Sequence, residues 1–372
     1  MQIPMSSPDI TSAEIDAVNA VLRTPCLSIG PRVDEFERRV AEYVGARHAV
    51  AVSSGTAGLH LAILAAGVAD GDEVITTPFS FVASANVALY ERAKPVFVDI
   101  GPQSLNIDPA RIEAAITPRT RAILPVHAFG QPADIDAILD IAHRHRLVVI
   151  EDACEAIGAE YKNRKVGTLG RAGIFAFYPN KQMTTGEGGI IVTDDEEWDK
   201  LFRSLRNQGR DVFDAWLNHS RLGYNYRLDE MSAALGVAQM SRIEELLAKR
   251  EKVAGWYKAR LNEIEGVTAP FVAPTTTCSS WFVYVVRFAP EIDRNRVMSL
   301  LEAQGIPSRP YFTPIHLQPF YRQRFGYTAG DFPVTERVSA STLALPFFSN
   351  MSEKQVSAVC DILQEAIVQV RE

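Results

Sequence analysis

At 372 residues the chain can bury an enzyme-sized interior, and its length predicts two packed domains rather than one small core. Hydrophobic residues at 47% and charged residues at 22% match a soluble globular protein, which excludes a disordered, fibrous or membrane-embedded chain. A net charge of -7 without any Lys/Arg-rich run excludes a nucleic-acid binder, because phosphate neutralisation needs a basic face.

The N-terminus has no Lys or Arg before Arg23 and no continuous apolar core, so it does not read as a secretory signal, and a cytoplasmic location is expected. A first helix is announced by Thr11 and Glu14 in capping-box spacing, with Ile15, Val18 and Leu22 on one face. A second has Val33, Phe36, Val40 and Val44 at helical period and ends at Gly45. From there to about Val192, seven apolar runs alternate with helical ones: HAVAV, DEVIT, PVFVDI, RAILPV, LVVIED, GIFAFY and GGIIVT. Strands that are apolar at nearly every position are buried on both faces, so a mostly parallel sheet covered by helices is predicted.

The longest uncharged stretch, His48 to Ala69, is interrupted by Ser53, Ser54, Gly55 and Thr56 and does not suit a membrane span. After Asp229 one or two long helices follow, with Met231, Leu235, Ala238, Ile243, Leu246, Trp256 and Leu261 at helical spacing. The remainder reads as a small α+β domain, with WFVYVVRF as a strand and NRVMSLLEAQ and SEKQVSAVCDILQEAI as helices. The expected domains are 1–245, a large α/β unit, and 246–372, with a cleft between them. Cys26, Cys154, Cys278 and Cys360 are scattered without a CxxC pair, so neither a disulfide framework nor a metal site is expected.

Three local signals carry chemistry. In AVAVSSGTAGLHLAIL a strand ends in Ser53, Ser54, Gly55 and Thr56 and a helix follows at once, which offers first-turn amides to a phosphate. The same turn also serves as an ordinary strand-to-helix connection. In LVVIEDACEAIGA, Glu151 and Asp152 end a strand at the edge where α/β sheets bind ligands. Asp152 there suits a protonated pyridine nitrogen, or equally a helix cap. In FAFYPNKQMTTGEGG, Lys181 stands alone in an uncharged stretch before a glycine-rich turn. Partial desolvation would free its amine for a Schiff base, although a solvated loop lysine is the common alternative. Together a phosphate turn, a carboxylate for a ring nitrogen and an isolated lysine match the handles of pyridoxal 5'-phosphate.

The segments SSGTAGLHLAI, GDEVITTPFSFVASANVALY, PVHAFGQPADIDAI, VIEDACEAIGA, FAFYPNKQMTTGEGG and GYNYRLDEMSAALG resemble the DegT/DnrJ/StrS family of sugar aminotransferases over nearly the whole chain. The resemblance implies the aspartate-aminotransferase (PLP type I) fold, with a mixed, mostly parallel seven-stranded large domain and a small C-terminal α+β domain. It implies that Lys181 bonds the cofactor, Asp152 pairs with its nitrogen, and Gly55 and Thr56 cradle its phosphate. Phe81 would stack on the ring, Glu155 would sit beside the ring hydroxyl, and Asn225 would reach the phosphate from a second subunit of a homodimer. Many members have Ser five residues before the lysine as a phosphate donor; here that position is Ala176.

The Pro- and aromatic-rich SRPYFTPIHLQPFY is expected to be a shaped loop, and the resemblance implies that it lies near a nucleotide-linked keto-sugar, with Arg309, Tyr311 and His316 as candidate ligands or as packing residues. His127 admits both a cleft and a structural role, whereas His143 and His145 suit a helix C-terminus. The implied reaction is transfer of an amino group from glutamate to a 4-keto or 3-keto-6-deoxyhexose on a nucleotide. A cyclitol or other carbocyclic ketone is the alternative acceptor, and a non-enzymatic regulator retaining the fold is the alternative from another class.

Overall fold

The structure, a computed structural model, describes residues 3–211 and 218–371. All seven apolar runs form one sheet: β1 (His48–Val52), β2 (Glu73–Thr76), β3 (Lys94–Phe97), β4 (Thr120–Ile123), β5 (Val148–Asp152), β6 (Ala172–Ala176) and β7 (Gly189–Thr193). Their order is β1-β7-β6-β5-β4-β2-β3, and β7 alone runs antiparallel to its neighbours β1 and β6. Burial on both faces is direct: along β1, Ala49 and Ala51 join one core while Val50 and Val52 join the other. Helices Pro31–Val44, Ile135–His145 and Glu230–Met240 cover the first face; helices Gly55–Ala65, Ala83–Tyr90 and Glu196–Arg206 cover the second.

A second core is built on a three-stranded antiparallel sheet, β8 (Val267–Thr268), β9 (Tyr284–Phe288) and β10 (Thr342–Leu345), backed by helices Arg294–Ala303 and Glu353–Arg371. Helix Ile243–Leu261 serves both units. Ile243, Leu246 and Leu247 belong to the large core, and Val253, Ala254, Tyr257 and Leu261 to the small one, so the expected boundary near residue 245 falls inside this helix. The N-terminus also crosses over: Ile3 packs in the small core. The four cysteines are unpaired, and among the described residues no helix is long and apolar enough to cross a membrane.

The first helix, Ser12–Leu22, has the expected capping box at Thr11 and Glu14, but its apolar face points outward. Ile15 is 54% and Leu22 is 57% exposed, while Glu14 is buried. Glu14 accepts from the Thr11 amide, Gln239 and Arg242. Burial alone would raise its pKa, but these donors outweigh burial and hold it at about 2. The buried polar anchor thus fixes which side of this helix faces the protein.

A second buried carboxylate caps helix Pro31–Val44, whose N-cap, Gly30, has no side chain to do so. Glu230 accepts from the amides of Gly30, Arg32 and Val33 at 3.2, 3.0 and 2.9 Å. Glu230→Ala is expected to lower stability by about 2 kcal/mol, since first-turn amides lose a charged acceptor in a buried setting. An unchanged urea midpoint for that variant would show that the cap contributes nothing.

Candidate active site

The carboxyl edge of the parallel strands faces a cleft of about 1330 Å3. Its lining draws on the turn after β1, the segment after β2, the ends of β5 and β6, and on Phe282 and Pro310–Arg324. This is the edge at which open α/β sheets place ligands.

Helix Gly55–Ala65 begins at this edge, where the Ser54 side chain accepts from the Ala57 amide at 3.1 Å. Its first-turn amides have no intrahelical acceptor. Gly55 is required by close packing: a Cβ there would stand 2.8 Å from both Ala176 Cβ and Cys154 Sγ. The small side chain at position 176 therefore belongs to the contact that seats the helix start.

Asp152 ends β5 in a buried position on the cleft floor. Its Oδ2 accepts from Ser84 Oγ at 2.7 Å, and its Oδ1 accepts from the Cys154 amide at 3.2 Å. Ser84 in turn lies 2.8 Å from Ser80. The preceding residue points the other way, as strand alternation requires. Glu151 is fully buried, meets His127 Nε2 at 2.9 Å and accepts the amides of Gly167, Leu169 and Gly170. His127 Nδ1 accepts from the Ala133 amide, so this histidine is structural.

Lys181 lies in the connection between β6 and β7. Thr184 ties that loop: its hydroxyl donates to the Phe177 carbonyl and accepts from the Gly186 amide, each at 2.9 Å. Gly186 takes a left-handed φ of +82°. Lys181 Nζ stands 3.6 Å from Glu155 Oε1 and 3.8 Å from the centroid of the Phe282 ring. Its side chain is only 12% exposed, so the solvated-loop alternative does not describe this lysine. Glu155 also accepts from the Phe129 amide at 2.8 Å. Burial pushes the Glu155 carboxyl above its ordinary range, against the pull of Lys181 and that amide.

Gly55, Thr56, Phe81, Asp152, Glu155, Lys181 and Tyr311 all line the cleft. Phe81 is 63% exposed on the cleft wall. Tyr311 stacks beside Phe312 and Phe129 on the far wall. Asn225 is exposed and outside its own chain's cleft lining. Tyr224 and Tyr226 flank it, stack on each other and pack against His60, so extended-chain alternation directs Asn225 away from them.

Two expected ligands are not brought to the cleft lining. His316 is fully buried, with Nε2 3.0 Å from Glu336 and its ring against Phe332; burial lowers its pKa despite that carboxylate. It acts in the packing of its loop. Arg309 is exposed, bridges to Ala344 through its backbone and turns its guanidinium to the Ser308 carbonyl. The expected irregular loop is itself partly helical, with Pro319 opening helix Pro319–Phe325, a first-turn position that proline tolerates. From that helix, Pro319, Phe320, Tyr321 and Arg324 line the cleft. Sequence reasoning passed over Ser84, although it stands four residues after Ser80, the serine of PFSF. It also passed over Phe282, for which no local signal exists.

The family model of the DegT/DnrJ/EryC1/StrS aminotransferase family matches residues 8–364. The GDP-perosamine synthase of Caulobacter vibrioides is 41% identical, with 99% of each chain covered. Among solved structures, S. venezuelae DesV has a TM-score of 0.91 at 34% identity, with 98% of each chain covered. The PLP form of Spr1654 from Streptococcus pneumoniae has a TM-score of 0.94 at 28% identity, with 100% of each chain covered. With the predicted seven-stranded sheet, the largely shielded lysine and the strand-end aspartate in place, the chain belongs to the DegT/DnrJ/EryC1/StrS aminotransferase family and is a PLP-dependent transaminase with the aspartate-aminotransferase-type fold.

Proposed function

We propose that this transaminase binds pyridoxal 5'-phosphate through Lys181 and moves an amino group from glutamate to a keto group of a nucleotide-linked 6-deoxyhexose, at C3 or C4. The observation that carries this reading is the cleft itself. At about 1330 Å3 it exceeds the usual small-ligand pocket, leaving room for a sugar nucleotide beside a cofactor.

The residues present fit the cofactor. Lys181 is the sole lysine among the described lining residues, Asp152 stands on the floor, and Gly55 leaves no room for a side chain at the helix start. The bound cofactor supplies an electron sink for the carbon that loses its proton. Lys181 would anchor it and would carry the proton to and from the donor's α-carbon. Asp152 holds a proton on the ring nitrogen by charge. The amides of Gly55 and Thr56 hold the phosphate, with Asn225 of each chain reaching the other chain's site to supply a donor that Ala176 cannot. Phe81 covers one ring face, Glu155 stands by the ring hydroxyl, and Tyr311 bounds the acceptor side.

A homodimer is supported by the exposed apolar residues Ile10, Ile15, Leu22, Leu27 and Ile29, clustered along the first helix and its exit. A cytoplasmic location goes with a nucleotide-linked substrate. The test is to incubate the aminated-cofactor form with dTDP-, GDP- and UDP-linked 3-keto and 4-keto-6-deoxyhexoses and with cyclitol ketones, and to detect products by mass. An aminated sugar nucleotide is expected. Amination of a cyclitol ketone alone would replace the proposed acceptor class.

A further inference from the structure

Behind the cleft wall lies Arg250, a cation that no carboxylate balances. Its side chain is buried on helix Ile243–Leu261, at the point where that helix passes from the large core to the small one. It forms no ion pair with any described residue. Nε donates to the Trp281 carbonyl and Nη2 to the Phe282 carbonyl, both at 2.7 Å, and Nη1 lies 3.3 Å from Ser349 Oγ. The Phe347 ring, 5.0 Å from the guanidinium carbon, adds a cation–π contact, but burying a guanidinium without a carboxylate is still expensive, so the arrangement calls for a reason.

The acceptors supply it. Consecutive carbonyls of an extended chain point to opposite sides, yet here two successive ones accept from one guanidinium. The chain achieves this at Trp281, whose φ is +50°, a left-handed value that bulky side chains rarely adopt. The strained residue and the unbalanced cation converge on Phe282, whose ring lines the cleft and faces Lys181 Nζ at 3.8 Å. The same strip is tied to the lysine's other neighbour: Ser280 Oγ accepts from Gln182 at 2.9 Å, and Gln182 also donates to the Glu155 carbonyl at 2.6 Å.

We infer that Phe282 and Arg250 are a positioning pair for Lys181: the ring is the seat on which the lysine's ammonium rests when it is not bonded to the cofactor, and the buried guanidinium holds that ring in place. The inference rests on Lys181 being the cofactor lysine. A four-carbon side chain released from its bond would otherwise sample many rotamers. An ammonium over an aromatic face, with Glu155 beside it, stays near the carbon it must serve. The seat favours the proton-loaded amine, which is the form that gives a proton back in the transfer step.

The test uses the whole enzyme and begins with borohydride reduction and peptide mapping of the wild type. Cofactor on another lysine would overturn both the function proposed above and the seat. With Lys181 labelled, Phe282→Leu, Phe282→Tyr, Arg250→Lys and the Phe282→Leu/Arg250→Lys double variant are compared in single-turnover reactions with α-deuterated and ordinary glutamate. Phe282→Leu keeps an apolar side chain but loses the ring. It is expected to slow proton transfer about tenfold, with the isotope effect more fully expressed, and, because the seat holds the lysine as ammonium while bond formation needs the free amine, to speed covalent bond formation on adding cofactor to apoenzyme. Phe282→Tyr should restore both rates to within about twofold of wild type, because its ring face is retained. Arg250 does not touch the cleft, so Arg250→Lys should slow the same step, and the double variant should be no slower than the worse single variant. Wild-type rates and isotope effects in both Phe282→Leu and Arg250→Lys would overturn the seat alone. So would losses that multiply in the double variant.

Discussion

Lys181→Ala is expected to abolish turnover while leaving the protein folded. The side chain is the cofactor's proposed covalent anchor and its proton carrier, and no second lysine among the described residues lines the cleft to replace it. Arginine would not rescue activity, because a guanidinium stays protonated and cannot form the bond. The loss should exceed about four orders of magnitude, as expected when covalent and acid–base functions go together. Folding should survive because the loop is held by Thr184 and Gln182 rather than by the lysine.

A pH dependence should accompany the substitution. Glu155 already has a raised pKa from burial, and Lys181 is the countercharge that opposes the rise. Without it the charged carboxylate is disfavoured further in the folded state. The variant's thermal stability relative to wild type should therefore be least affected in acid, below the ordinary glutamate range. The deficit should open once pH passes the raised folded-state pKa that Glu155 has in the wild type, and level once the variant's folded carboxyl ionises too. Ordinary turnover in Lys181→Ala, with a borohydride-reducible adduct still present, would reject the lysine assignment. A deficit independent of pH would reject the Glu155 pairing.

The legibility of this chain in its sequence follows the range of the interactions involved. The seven strands could be read because a doubly covered sheet makes nearly every strand position apolar, a signal contained in four or five residues. The places of Gly55, Asp152 and Lys181 were legible for a similar reason: the first two sit where a strand meets a turn, the third stands alone in an uncharged loop before a glycine-rich turn, and the neighbours of each announce it. The orientation of the first helix was not: Ile15 and Leu22 look like a core face, and only the distant donors Gln239 and Arg242 decide that Glu14 goes inside. Phe282 and Arg250 act through contacts with residues far along the chain, so periodicity carries no trace of them. His316 shows the converse failure, as an irregular, histidine-bearing loop looks like a ligand site until packing against Phe332 and Glu336 places that ring in the interior.

Asp152→Asn is expected to reduce the rate by at least about a hundredfold and to weaken cofactor retention, with little change in stability. Its hydrogen bonds explain why fold and function should separate. The Cys154 amide needs an acceptor at Oδ1, so the asparagine carbonyl would take that place and its amine would fall where Oδ2 now accepts from Ser84. Ser84 can then accept instead, because the Ser80–Ser84 pair can reverse its direction of donation. Polar satisfaction is kept on the protein side, and the melting temperature should stay within a few degrees of wild type. What disappears is the negative charge proposed to face the ring nitrogen. An amide carbonyl already committed to Cys154 cannot hold a proton there, so the ring becomes a weaker electron sink just where the donor's α-carbon loses its proton. The measurement is paired: cofactor dissociation followed by absorbance, and the single-turnover rate with glutamate at saturating cofactor. A folded Asp152→Asn protein with a near-normal rate would leave Asp152 only the role of tying the turn at Cys154.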